Sequence, residues 1–140
     1  MFRRHPLLAA LGPVLLAIAM TSCGSPSIPN AGRVLLAITV TPAAADAQQF
    51  GGQVVFTANG TFSVAPSPAP VTFVAPYTGG FAVAPNSSNQ AIATIVATGS
   101  GTATVQCLAS MSGTVEVGAT ASANNGTSIT VSGIAQITCP

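Results

Sequence analysis

The sequence has very few charged side chains. Its 140 residues include three Lys and Arg, two Asp and Glu, one His and no Trp. Two of the cations, Arg3 and Arg4, stand at the amino terminus, and only Arg33, Asp46 and Glu116 are charged beyond residue 22. A chain without a basic cluster cannot neutralise a row of phosphates, so this composition argues against a nucleic-acid partner.

The same shortage argues against catalysis. Acid–base catalysis draws on His, Glu, Asp, Lys, Tyr or Cys, and residues 23–140 offer one Asp, one Glu, one Tyr and three Cys. A Ser nucleophile would have neither His nor Lys as its base. A zinc site would have no His and at most two thiols. We therefore predict no catalytic residue, no metal site and no cofactor.

The first 22 residues carry the features of an export signal. The basic start with Arg3 and Arg4 is followed by an apolar run over residues 7–20 and then by small residues. This order is typical of a secretory signal peptide. The apolar run is shorter than the roughly 20 residues that a membrane-spanning helix requires.

The end of this leader, Met20-Thr21-Ser22-Cys23, resembles a bacterial lipobox, although the first lipobox position prefers Leu. The resemblance implies that residues 1–22 are removed and that lipid on Cys23 anchors the protein to a membrane. Gly24, which stands where Asp would retain a lipoprotein in the inner membrane, then favours the outer membrane or the cell surface. The alternative is cleavage after Ala17-Ile18-Ala19, which would release a periplasmic or secreted protein.

The other two cysteines form an even pair. If Cys23 carries lipid, Cys107 and Cys139 remain for an oxidising compartment, in which disulfides are stable. Both stand at the apolar parity of their predicted strands, so we expect a disulfide between them. The alternative is a pair of buried free thiols.

The pattern of the remaining chain predicts β-structure. Residues 23–33 are rich in Ser, Pro and Gly and form a tether, and residues 34–140 form one domain. In this domain apolar and polar residues alternate between turn signals, with no helical period. We predict an all-β fold, a single immunoglobulin-like antiparallel β-sandwich following the signal peptide.

Three details of this pattern are specific predictions. Leu36, Ile38 and Val40 are expected to share the buried face of the first strand. Asn59-Gly60 is expected to form a turn. Residues 63–90 contain five Pro, and we expect only short strands there, around residues 71–74 and 81–84.

The aromatic residues concentrate between residues 50 and 81. Phe73, Tyr77 and Phe81 share parity, and they are a candidate ligand platform for a glycan or an extended peptide. We call these three residues the aromatic platform. The alternative is that they fill the core.

Four segments of the domain carry a family resemblance. Residues 36–42 (LAITVTP), 51–58 (GGQVVFTA), 92–95 (IATI) and 112–121 (SGTVEVGATA) resemble, in the same order, segments of bacterial Ig-like domains of group 2. The sequence departs from that family at residues 71–76, where the family places a Trp-containing strand. The family occurs in bacterial surface proteins, including adhesins of the intimin and invasin type, as stalks, spacers or ligand-binding tips.

The resemblance implies a lipid-anchored cell-envelope protein whose Ig-like domain is a non-catalytic binding, adhesion or structural module. Its partners would be the membrane, through Cys23, and a protein or glycan that the sequence does not identify. Two alternatives stay open. One is a soluble periplasmic accessory domain that joins a larger assembly through an exposed strand edge. The other is a carbohydrate-binding module that uses the aromatic platform.

Overall fold

The computed structural model describes residues 32–124 and 128–140. The predicted signal peptide, Cys23, the tether up to residue 31, and Asn125-Gly126-Thr127 lie outside the described residues. The described chain forms strands and contains no helix. The strands are β1 (Leu35–Thr41), β2 (Ala44–Asp46), β3 (Gln53–Phe62), β4 (Ala69–Pro70), β5 (Gly79–Val83), β6 (Ala93–Gly99), β7 (Thr102–Cys107), β8 (Gly113–Ser122) and β9 (Thr130–Cys139).

The strands form two sheets that pack face to face. The first sheet has the order β1-β3-β7-β6, with β4 also paired to β3, and the second has the order β2-β9-β8-β5. All pairs are antiparallel except β2 with β9. This arrangement matches the A-B-E-D and C-F-G sheets of the immunoglobulin fold, with β2 added beside the last strand. The predicted all-β immunoglobulin-like sandwich is confirmed.

The core lies between the sheets and follows the predicted alternation most closely in β7 and β8. Every second residue of these two strands is buried, and the residues between them face outward or are partly exposed. The buried positions are the apolar residues of this alternation: Ala103, Val105, Cys107, Val115, Val117, Ala119 and Ala121.

The first strand departs from its predicted parity at one residue. Leu35 is only 1% exposed, whereas Leu36, expected in the core, is 57% exposed. The register between β1 and β3 shifts between Leu35 and Ala37. An irregularity of this kind adds one residue to a strand and moves its neighbours to the opposite face. Ile38 and Val40, beyond the shift, are buried as predicted.

The predicted turn at Asn59-Gly60 is wrong, because β3 continues through both residues. Asn59 pairs with Thr39 and Gly60 pairs with Ile38 in β1. A side chain at position 60 would meet Leu35, Phe62 and Val71. Gly60 therefore lies in a part of the core that has no room for a side chain, and packing there overrides the local turn preference of Asn-Gly.

The Pro-rich segment forms less strand than expected. The short strand predicted around residues 71–74 is absent, and the two residues of β4 precede it. Val71 is fully buried, and Phe73 adopts a φ of 57°, which is incompatible with an extended strand. The strand expected around residues 81–84 is present as β5, two residues earlier than predicted.

Candidate functional site

The two sheets are joined by a disulfide at one end of the sandwich. Cys107 ends β7 in the first sheet and Cys139 ends β9 in the second, and their Cα atoms lie 5.7 Å apart. Both residues are buried. The predicted pairing is therefore present in the structure. We call this end of the sandwich the disulfide pole.

The chain enters the domain at the opposite end. β8 runs from Gly113, which is paired with Cys139, to Ser122, which is paired with Thr130. Beyond Ser122, the carbonyl oxygen of Ala123 accepts a 2.8 Å hydrogen bond from the backbone NH of Leu35. We call this end, which contains residues 32–36, 62–68, 74–78, 122–124 and 128–130, the tether pole.

Arg33 binds the start of the domain to the loop that follows β3. Its guanidinium donates hydrogen bonds to the carbonyl oxygens of Val64, at 3.1 Å, and Pro66. The guanidinium carbon also lies 4.0 Å from the centre of the Phe62 ring, within the range of a cation–π contact. These contacts fix the chain at the point where it leaves the tether.

Tyr77 lies in the core beside this cluster. It is buried, its ring centre is 5.1 Å from that of Phe62, and its hydroxyl donates a 3.0 Å hydrogen bond to the carbonyl oxygen of Arg33. Burial raises the pKa of the Tyr77 phenol, and the positive charge of Arg33 opposes that rise. Because Tyr77 is buried, it cannot form part of an exposed aromatic platform.

The other two residues of the proposed aromatic platform contact each other. The rings of Phe73 and Phe81 lie 5.2 Å apart in an edge-to-face arrangement and pack against the core. Both residues are partly exposed. The structure thus brings Phe73 and Phe81 together and places Tyr77 against Phe62 instead. Phe73 and Tyr77 lie outside the strands, so their shared parity with Phe81 does not decide which way their side chains point.

A shallow groove lies on the outer face of the second sheet and was not predicted. Its volume is about 270 Å³, close to the lower limit of roughly 300 Å³ for small-molecule pockets. Gly118 leaves the groove open, and Ile134 and the carboxylate-bearing Glu116 border it. Its remaining lining is Ala82, Val83, Ala84, Thr120, Ser132 and Gly133. The sequence feature that could have indicated this groove is Ile134, an apolar residue at the outward-facing parity of β9.

The described residues carry little further chemistry. Asp46 accepts a 2.7 Å hydrogen bond from the backbone NH of Gln48 in the loop after β2. Across residues 32–124 and 128–140, no group of three or more His, Cys, Asp and Glu is placed to hold a metal ion. In the same ranges there is no helix with the length and hydropathy needed to cross a membrane.

The chain was compared with protein-family models, curated proteins and solved structures, and no match was found in any of the three. The resemblance to group 2 bacterial Ig-like domains therefore stays a prediction.

Proposed function

We propose that the protein is a lipid-anchored bacterial cell-envelope protein. Its single immunoglobulin-like domain acts without catalysis as a binding, adhesion or structural module. The observation that carries the proposal is the sequence Met20-Thr21-Ser22-Cys23 at the end of an apolar leader. Lipid on Cys23 would hold the domain at the outer membrane or the cell surface.

The construction of the domain supports an oxidising location. The only cysteines of the described chain, Cys107 and Cys139, are joined across the two sheets. Disulfides of this kind persist in the periplasm and outside the cell and are rare in the reducing cytosol. Lipidation would consume the thiol of Cys23, so no free thiol would remain in residues 23–140.

The surface of the domain supports a binding or structural role. The groove beside Gly118 is lined mainly by small and apolar residues and has one carboxylate, Glu116. Such a groove fits an extended or flat partner that brings a hydrogen-bond donor or a positive charge to Glu116. The partner itself, a protein or a glycan, is not identified by these residues.

The test is the intact mass of the full chain after expression in a bacterium with an outer membrane. We expect the membrane fraction to contain residues 23–140 plus acyl groups, with a mass that rises by two hydrogens on reduction. In the Cys23→Ser variant the acyl mass should disappear. A wild-type mass that starts at Met20 without acyl groups would overturn the anchor.

A mature protein that starts at Met20 without acyl groups would favour the alternative of a soluble accessory domain. One structural observation supports that alternative. β6 forms the edge of the first sheet, and its residues Ala93–Gly99 include no charged residue and no Pro. Without charge or Pro, the remaining protection of this edge against pairing with another chain is the register shift of β6 between Ile95 and Ala97. The variant Val96→Lys should then block association with a partner that adds a strand there, while leaving the domain folded.

Of the aromatic platform, only Phe73 and Phe81 remain available to a carbohydrate ligand. The carbohydrate-binding alternative therefore predicts that Phe73→Ala reduces glycan binding while thermal unfolding still shows a folded domain. A glycan array that gives the same signal for the parent protein and for Phe73→Ala would rule out this alternative.

A further inference from the structure

The exposed apolar side chains are unevenly distributed over the domain. In residues 32–124 and 128–140 the large exposed ones are Leu36, Phe50, Val55, Val64, Val74, Val96, Ile129 and Ile134. Leu36, Val64, Val74 and Ile129 belong to the tether pole or directly adjoin it. Single exposed apolar residues are ordinary, but four around one end of the sandwich call for an explanation.

Backbone hydrogen bonds link these residues to one another. The carbonyl oxygen of Ile129 accepts from Ala123, whose own carbonyl accepts from Leu35, the neighbour of Leu36. The NH of Ser63, the neighbour of Val64, donates to Val34.

Val74 is connected to the same end through Tyr77. The backbone NH of Tyr77 donates to the carbonyl oxygen of Val74 at 2.9 Å, and the Tyr77 hydroxyl donates to Arg33. All four apolar residues therefore surround the point at which the chain enters the domain.

The charged side chains also differ between the tether pole and the disulfide pole. Arg33, the positively charged side chain of the described residues, lies at the tether pole. Asp46 pairs with Thr138, next to Cys139, and Glu116 pairs with Gln136, so both carboxylates lie toward the disulfide pole. An anionic lipid surface attracts basic groups and repels acidic ones. This distribution therefore favours the tether pole as the end that faces such a surface.

The length of the preceding chain keeps this pole close to Cys23. Eight residues, 24–31, separate Cys23 from Gly32. Fully extended, they span at most about 30 Å. A lipid on Cys23 would hold the tether pole within this distance of the membrane, and the disulfide pole would lie farther away.

We propose that the tether pole is a membrane-contact surface, in which Leu36, Val64, Val74 and Ile129 rest on the phospholipid headgroup layer. The proposal rests on the lipid anchor proposed above. The four side chains include no aromatic residue and no basic cluster, so they orient the anchored domain and do not attach it. The sandwich then stands on the membrane with the disulfide pole and the groove beside Gly118 held away from the lipid.

Tryptophan fluorescence tests this orientation, because the chain contains no Trp and a single introduced one is the only indole signal. Ile129 and Ile134 are matched sites, 63% and 60% exposed, at the tether pole and on the outer face of the second sheet. Full-length I129W and I134W are expressed, purified and reconstituted in vesicles of phosphatidylethanolamine and phosphatidylglycerol. We expect brominated lipids to quench I129W several-fold and to shift its emission to shorter wavelength, with I134W unchanged.

A second matched pair of sites keeps the test valid if one Trp variant misfolds. Val64 and Val55 are both 56% exposed, the first at the tether pole and the second in β3 on the outer face of the first sheet. V64W should behave as I129W does, and V55W as I134W does. Equal quenching within both pairs, in proteins whose thermal unfolding matches that of the parent chain, would overturn the proposal.

The lipid-anchor proposal and the membrane-contact proposal can be tested separately. If mass spectrometry finds no acyl groups, the anchor proposal fails at that step. Coupling the Cys23 thiol of each Trp variant to a maleimide-bearing lipid then supplies the same attachment point. The quenching pattern of these coupled proteins still decides whether the tether pole contacts lipid.

Discussion

Removal of the Cys107–Cys139 disulfide should destabilise the domain by a predictable amount. The bridge closes a loop with a sequence separation of 32 residues, and the chain-entropy relation gives roughly 3–4 kcal/mol for a loop of this length. A domain of this size is stable by only about 5–15 kcal/mol. The double variant C107A/C139A should therefore fold but lose a large fraction of its stability. The double replacement avoids leaving one buried thiol without its partner.

Urea unfolding of the full chain measures this difference, with Cys23→Ser in both proteins to remove the third thiol and the acyl groups. Since the bridge restricts the unfolded chain, its removal should also increase the dependence of the unfolding free energy on urea. The backbone around Cys107 is held independently by hydrogen bonds to Gly51, at 3.1 Å, and Gly52, at 3.0 Å. A loss of less than about 1 kcal/mol, the size of an ordinary point mutation, would refute this reasoning.

Two further changes test the core. Tyr77→Phe removes the hydrogen bond to Arg33 and should cost about 1 kcal/mol. Because the folded state raises the pKa of the Tyr77 phenol above its ordinary value of 10.0, the parent domain should lose stability as the pH rises past that value, and the variant should not; denaturant unfolding at several alkaline pH values checks this, and an identical alkaline loss in both proteins would contradict it. Gly60→Ala places a Cβ 2.6 Å from the Leu35 side chain and should cost about 1–3 kcal/mol by overpacking. The control Gly80→Ala meets no atom within 4 Å, and a thermal melt that is lowered equally by both substitutions would refute the packing argument.

The alternation of apolar and polar residues within a strand correctly predicted which of its residues are buried, wherever burial depends on that strand alone. β7 and β8 alternate apolar and polar residues without interruption, and their buried residues are those of the apolar parity. The same parity placed Cys107 and Cys139 in the core, where the bridge forms. In these strands local pattern and tertiary packing agree, so the sequence alone was sufficient.

The errors arose where distant residues decide the local structure. Leu36 is turned outward by a register shift against β3, which no pattern within β1 reveals. Gly60 is held in a strand by pairing with Ile38 in β1 and with Ala69 in β4, although Asn-Gly locally favours a turn. The groove beside Gly118 is formed by β5, β8 and β9, and β5 is distant in the chain from the other two. The candidate site was therefore less predictable than the fold, because it depends on how strands are brought together.

The attachment of Arg33 to the domain sets the length of chain that would separate the proposed lipid on Cys23 from the first fixed residue. Its side chain is bound to the loop after β3, its carbonyl oxygen to Tyr77, and the next two residues to Ser63 and Ala123. These contacts reach both sheets, so the rigid domain begins at Arg33 itself. A tether several times longer would let an anchored domain rotate freely above the membrane, and clustered apolar residues at one end would then have little effect. If Cys23 carries lipid as proposed, so short a tether and so firm a junction would let modest contacts at the tether pole set the orientation of the whole sandwich.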